Sequence, residues 1–355
     1  MISLNNYRYR IFFTAAATAF FTVIFILEPS VIINGIRSGL HICSSSVIPS
    51  LFPFLVLSDF TVRSGLGGMA GEKISPVTEK LFRLPGAAGC AVMMSLVGGF
   101  PVGAKMAAQL YENGEITQSQ GRRMLTFCVN AGPAFVVGTV GSVMLSSRKA
   151  GVLLLVSLTV TAICEGIAAG LFSDKAEIRV HRKKPDFNPS VLTESVSQAV
   201  QTMFGICAWI MLFSGLNSLL SRLPVSDSAA AWLSMLTEVT NGCISASGRF
   251  PVCVLALTLG WSGLAVHCQI LPFLQTLGMK LRFFWISRLI TGGAACALSW
   301  LLFRLFPCEV SVFSSSAEII SKPVSVSVPV SAAMLLLSAL MLLDIKPCTS
   351  EKDVI

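Results

Sequence analysis

The chain has 355 residues, 54% of them hydrophobic and only 12% charged, with a mean hydropathy of +0.75, against roughly 25% charged residues in an average soluble domain. That balance excludes a soluble globular domain, and the net charge of +8 is scattered through connecting segments rather than gathered on one face, so no nucleic-acid partner is expected. Eleven cysteines form no CxxC pair and mostly lie in apolar runs, where cysteine behaves as a small hydrophobe, so neither a zinc site nor a disulfide framework is read.

Taken in chain order, Arg8 and Arg10 precede an uncharged run from Ile11 to Leu27 that ends without an A-x-A-like cleavage site; it is read as a retained first transmembrane helix. The apolar segment Ile42 to Phe60 carries Pro49 and Pro53, and Ala87 to Leu110 carries "SLVGGFPVGAK". Both are expected to be broken or re-entrant, which lipid permits only where protein or a water-filled cavity satisfies the freed backbone. Full spans are expected at Met124 to Leu145, Gly151 to Phe172, Val196 to Leu220 and Phe283 to Phe306, with a last one at Val324 to Leu343. Between Trp232 and Leu277 the apolar run is interrupted by "EVTNGCISASGRFP" and again by "GWSGLAVHCQ". The expected fold is an all-α polytopic membrane protein, with about eight or more transmembrane helices besides the broken ones.

The connection "SDKAEIRVHRKKPDFNPS" divides the chain almost in half and concentrates Lys and Arg, so the positive-inside rule makes it the cytoplasmic anchor. The expected organisation is a membrane half at 1–172, a basic cytoplasmic loop at 173–195, a second membrane half at 196–345 and a polar tail at 346–355. Each half has two glycine-punctuated breaks, "SLVGGFPVGAK" with "FCVNAGPAF" and "LTEVTNGCISASG" with "LGWSGLAVHCQ". Paired interruptions of this kind point to the binding site of a secondary transporter built from two related halves.

Within the breaks, Gly98, Gly99, Phe100, Pro101 and Gly103 precede Lys105, a cation that either snorkels to an interface or joins freed helix amides as an anion site. Asn130, Gly132 and Pro133 supply an amide beside a loosened ladder, suited either to a solute or to a helix-helix hydrogen bond. Glu238, Thr240 and Asn241 offer a carboxylate, a hydroxyl and an amide for a solute, a proton or sodium, with exposure at a loop as the alternative. Ser262 lies in the fourth break, and His267 and Gln269 follow it; the imidazole either relays a proton, meets a carboxylate or simply packs. Glu165 is a further intramembrane acid outside the breaks, read as the answer to a lysine or arginine. No nucleophile elbow, zincin, Walker A or dinucleotide motif occurs, so no enzyme and no cofactor is expected.

At "GGFPVGAK", "GEITQSQGRRMLTFCVNAGPAFVVGTVGSVML" and "LTEVTNG...WSGLAVHCQ" the chain resembles the sporulation integral membrane protein YlbJ family, also called SpoVV, whose members carry the nucleoside-recognition or Gate domain. The family's G-[YF]-P-x-G-A-K block falls on Gly99, Phe100, Pro101, Gly103, Ala104 and Lys105, and its F-C-N-N-x-x-P-x-F block on Phe127, Cys128, Asn130, Pro133 and Phe135. Val129 replaces the first asparagine of that block, and Gln120 stands where the family commonly has an acid. The resemblance implies an architecture like that of concentrative nucleoside transporters and movement of dipicolinic acid across the outer forespore membrane during sporulation. It leaves a nucleoside or other small-solute carrier, and a non-transporting sporulation scaffold or sensor, as alternatives. The partners it implies are a small anionic solute, the bilayer, and either further copies of the chain or other sporulation membrane proteins. Sodium or protons are the coupling ions to be considered.

Overall fold

In the computed structural model the described residues are 15, 16, 18, 19, 22–173 and 188–310, and every regular element among them is helical. Most of the expected first helix at Ile11 to Leu27, residues 174–187 of the basic connection, the expected span Val324 to Leu343 and the tail 346–355 lie outside them.

The first long helix joins α1 (Pro29–Ile42) through a π-helical turn at Cys43–Val47 to α2 (Ile48–Arg63), a rod of 35 residues. The break expected from Pro49 and Pro53 does not occur. Pro49 sits in the first turn of α2, just past the wide π turn, where a missing N–H is cheap, and Pro53 is carried within the helix at the cost of one ladder bond. Gly35 and Gly39, four residues apart, let α1 press onto α8 (Pro189–Leu220): a Cβ on Gly35 would fall 2.8 Å from Gly215 Cα, and one on Gly39 2.9 Å from Met211 Cα. Such close approach through small residues drives helix association in lipid, where hydrophobicity cannot.

Next, α3 (Leu66–Phe82) leads into α4 (Gly86–Gly98) through a bend of 81°. Gly99, at φ 86° and ψ −179°, takes a backbone conformation that side chains disfavour, and α5 (Phe100–Glu112) then turns back along α4. The fold-back is visible at Gly103, where a Cβ would lie 2.5 Å from Ser95 Cβ, so α4 and α5 form a hairpin with Gly99 at its tip. Met124 to Leu145 is not the single span expected. Instead α6 (Gln118–Phe127) ends at Cys128, an irregular stretch follows, and a π-helix resumes at Ala134–Met144. Hydropathy missed this because Val129, Ala131, Ala134 and Phe135 keep the stretch apolar while Gly132 and Pro133 break the ladder. Uninterrupted α7 (Arg148–Leu171) closes the first half, as expected.

The second half has α8, already helical from Pro189, then α9 (Asp227–Thr237), an extended Glu238 and α10 (Val239–Ala246). A Cβ on Gly242 would lie 2.7 Å from Met235 Cα, so α9 and α10 are also a hairpin. It is followed by α11 (Cys253–Trp261), Ser262 at φ 76°, α12 (Gly263–Thr276) and α13 (Leu281–Leu305). Five helices of the described residues are long and apolar enough to cross a bilayer, or up to six with the bent pair.

Contacts at the helix ends fix which ends lie together. Arg63 pairs with Glu194 at 3.1 Å, Arg83 Nη1 donates to the Ser173 carbonyl at 2.5 Å, and Arg122 Nε donates to the Leu277 carbonyl at 2.7 Å. These group the ends of α2, α3, α7 and α12 with the starts of α6 and α8 at the end where the basic connection leaves. At the opposite end Lys149 Nζ donates to the Pro307 carbonyl at 3.0 Å. A small pocket there is lined by Leu145, Phe250, Pro251, Val252 and Val310. The α4–α5 hairpin therefore enters from the connection end and the α9–α10 hairpin from the other.

The close packing inside the first hairpin is testable. Gly103→Ala, whose Cβ would overlap the Cys128 carbonyl oxygen, is expected to lower stability by about 1–3 kcal/mol. Gly205→Ala, which meets nothing within 4 Å, should leave it unchanged. Thermal unfolding of the two variants in detergent checks the contrast.

Candidate functional site

The breaks meet in pairs. In the first half a Cβ on Gly132 would lie 3.1 Å from Gly99 N and 3.0 Å from the Val97 carbonyl oxygen, so the hairpin tip rests on the interruption of the crossing helix α6. Gly103 does not release amides, as the sequence suggested; it lies inside α5 and leaves room for the Cys128 carbonyl. Gly98 is the last residue of α4, while Phe100 and Pro101 open α5 and are buried. Asn130 Nδ2 donates to the Phe127 carbonyl at 2.7 Å, which caps its own helix end.

The break at 128–132 leaves carbonyls without partners, and a residue from α13 answers them. Arg288, fully buried, donates from Nη1 to the Val129 carbonyl at 2.6 Å and from Nη2 to the Thr126 carbonyl. Glu165 of α7 supplies its counter-charge at 4.0 Å, and Thr291 Oγ1 donates to the same carboxylate at 2.8 Å. This is the structural partner expected for Glu165. Arg288 itself was not singled out in the sequence, where a lone Arg inside an apolar run of α13 is its only signal.

In the second half Glu238 is buried at the tip of the α9–α10 hairpin, not exposed in a loop. Its two oxygens accept from the Thr240 and Asn241 amides at 2.9 and 2.7 Å, so the carboxylate caps the positive end of α10. The Asn241 side chain reaches across to Ser214 Oγ at 3.1 Å. Ser262 and Gly263 are both left-handed, and a Cβ on Gly263 would fall 2.9 Å from Val239 N, which brings the fourth break against the third.

Aromatic and imidazole rings join the two crossings. Arg288 lies 5.5 Å from the Phe284 ring centroid, Phe284 is 5.2 Å from His267, and His267 is 4.4 Å from Trp261. Trp261 Nε1 in turn donates to the Leu236 carbonyl at 3.1 Å. His267 Nε2 lies 2.8 Å from the Trp261 carbonyl, which can only accept, so Nε2 carries the proton. Nδ1 is buried with no partner, a lone pair open to a donor. Gln269 is half-buried and its side chain makes no hydrogen bond among the described residues.

Lys105 does not snorkel. It is buried on α5, with Nζ 2.9 Å from Asp59 Oδ1 and 3.3 Å from Thr202 Oγ1. Asp59, fully buried on α2, also accepts from Gln109 Nε2 at 2.6 Å and from Arg63 Nε at 2.5 Å. Asp59 is a second buried charge that the sequence reading missed, since Lys105 and Gln109, two of its three partners, stand on another helix. The structure thus gathers the first-half residues in one crossing and the second-half residues in another, with Lys105, five residues beyond Phe100 on α5, in a polar cluster of α2, α5 and α8. No three His, Cys, Asp or Glu side chains gather as a metal would require among the described residues.

Apolar crossing helices around buried, backbone-capping charges define a multi-pass helical membrane protein with a polar interior. The chain is similar to the sporulation integral membrane protein YlbJ of Bacillus subtilis (strain 168), with 26% identity over 329 aligned positions that take in 80% of this chain and 81% of the relative. This similarity along most of both chains supports the YlbJ family, and the protein is a membrane protein related to a sporulation integral membrane protein. No family model and no solved structure matches the chain.

The clamp on the second break sets an energetic expectation. Arg288→Met strands Glu165 and two carbonyls and is expected to cost about 3–5 kcal/mol, while adding Glu165→Leu recovers part of that loss. Unfolding of both single variants and the double variant in detergent completes the cycle; strictly additive losses would show that the two residues are not coupled.

Proposed function

We propose that the chain is a secondary transporter of a small organic anion, with dipicolinate crossing the outer forespore membrane as its solute. The observation that carries this reading is the pair of crossings: hairpins entering from opposite ends, with tips at Gly99 and Glu238, each against the broken point of a crossing helix at Gly132 and Ser262–Gly263. The order long helix, hairpin, broken helix, long helix runs through 189–305 and, with α3 added before the hairpin, through 29–171, with the second hairpin inverted. That order supports two related halves of inverted topology, the plan of transporters whose discontinuous helices hold the solute near the midplane.

Several features fit an anion moving by alternating access. The amide end of α5 lies at the first crossing, and helix N-termini favour negative charge; the amide end of α10 is already met by the Glu238 carboxylate. The Trp261 and Phe284 rings meet His267 in edge-on contacts, and its Nδ1 is open to a donor. Solute contacts are assigned to Gly99, Phe100, Lys105, Asn130, Gly132, Thr240, Asn241, Ser262 and His267. The arginines at the connection end, Arg63, Arg83, Arg122 and Arg123, support a cytoplasmic position for it. The relative's name supports a sporulation role, and dipicolinate follows from the family resemblance; a Gate-type, concentrative-nucleoside-transporter-like scaffold is part of the same proposal. No covalent step is involved.

Purified protein in liposomes is expected to take up labelled dipicolinate. Gly99→Ala and Gly263→Ala, both at positive φ, should slow uptake about tenfold or more through strain of about 1–3 kcal/mol at the crossings. No dipicolinate uptake by folded protein under any sodium or proton gradient would overturn the reading. Uptake of nucleosides in its place would keep the transporter and replace the solute.

A further inference from the structure

We propose that Asp59 is the proton-coupling site of this transporter, with Lys105 as the group that exchanges between Asp59 and a carboxylate of the solute. The inference rests on the transport reading above and goes beyond it in naming a coupling ion and the residue that carries it.

The argument begins with charge. Asp59 and Lys105 are both buried and 2.9 Å apart, and Arg63 bridges Asp59 Oδ2 to Glu194 at 2.5 and 3.1 Å. Asp59 and Lys105 make a buried neutral pair, while Arg63 is partly exposed and Glu194 exposed at the helix ends. A single uncompensated charge within a membrane protein is costly, so any rearrangement must preserve neutrality. If a solute carboxylate takes Lys105, the buried pair gains one negative charge. One proton from water, bound by Asp59, restores the balance: Lys105 with the solute, Arg63 with Glu194, and Asp59 as the neutral acid. When the solute leaves, Asp59 releases that proton and recovers Lys105. One proton therefore travels with the carboxylate that Lys105 holds, and dipicolinate, with its second carboxylate, crosses with one net negative charge.

The second observation is the orientation of Gln109. Its Nε2 donates to Asp59 Oδ1 at 2.6 Å, as an ionised carboxylate requires, while its Oε1 is buried with no partner at all. Rotation of the amide by half a turn brings Oε1 to the place of Nε2, where it accepts from the O–H of a protonated Asp59. The neighbour of Asp59 thus serves either protonation state with one rotation. Lys105 is equally free to exchange, because both of its partners, Asp59 and Thr202, are side chains on other helices. The groups facing Asp59 are Lys105 and Gln109 from α5 and Arg63 from its own helix, with Thr202 and Glu194 of α8 one contact further. Helix α4, also packed on α2, carries no charged residue, and no described charged group of α3 bonds to Asp59.

The test uses the full chain in liposomes that enclose a pH-sensitive dye, with dipicolinate as the probe. Addition of dipicolinate to wild type is expected to acidify the lumen. Its apparent affinity should rise about tenfold for each unit by which external pH falls, while protonation of one site limits binding. Asp59→Asn, which fixes the neutral form, should still exchange dipicolinate across preloaded vesicles but lose both the acidification and the pH dependence. Acidification that persists in Asp59→Asn, or wild-type uptake without acidification, would overturn the coupling site and leave the transport reading standing. No wild-type uptake at all would remove both. Should Asp59→Asn fail to fold, infrared difference spectra of wild type with isotope-labelled aspartate decide instead: a protonated aspartic acid band must appear on saturation with dipicolinate, and its absence refutes the proposal.

Discussion

Backbone groups freed inside a membrane have no water to turn to, and this constraint governs the protein's interior. Each break exposes a different kind of orphan. The end of α6 leaves carbonyls, and a cation from another helix, Arg288, donates to two of them. The start of α10 leaves amides, and an anion at its own cap, Glu238, accepts from two. Buried charge is thereby used where the backbone itself is polar, which lowers the cost that the same residues would incur against lipid tails. The other breaks use no charge. Gly99 and Gly132 approach so closely that the backbone of one interruption covers the other, as Gly263 covers Glu238 and Val239.

That solution dictates the residue sizes nearby. Two interruptions can shield one another only if no side chains intervene, so the crossings are lined with glycine, and the helices behind them must also pack closely. Gly141 against Gly151 and Gly260 against Gly292 show the same economy at the flanks of the first and second crossings. In a bilayer such contacts are held by van der Waals packing and a few hydrogen bonds rather than by exclusion of water.

The four interruptions were legible in the sequence because glycine, proline and a polar residue clustered within apolar runs, a combination with few structural uses. The misread segments show where that logic stops. Pro49 and Pro53 leave α1 and α2 continuous, since a π turn and a first-turn position absorb what proline disrupts. Met124 to Leu145 passed as one span because hydropathy averages over the break that Pro133 and Gly132 impose. Asp59 and Arg288 were not legible as site residues, because their meaning lies in partners far away in sequence: Gln109 is 50 residues from Asp59, and the Val129 carbonyl is 159 from Arg288. A charge in a hydrophobic window signals a cost without naming what offsets it.

The two buried charge sets differ in a way that bears on motion. Arg288 is committed to main-chain carbonyls, whose positions are set by the path of α6, so it can leave only if the break itself rearranges. Lys105 touches only side chains on α2 and α8, each with its own rotamers and each replaceable by another acceptor. The first set therefore belongs to the scaffold that keeps a broken helix in place. The second can change partners while every helix remains intact, provided that its total charge stays at zero. One buried charge set is thus held by the backbone and the other by side chains, and the two lie on different helices.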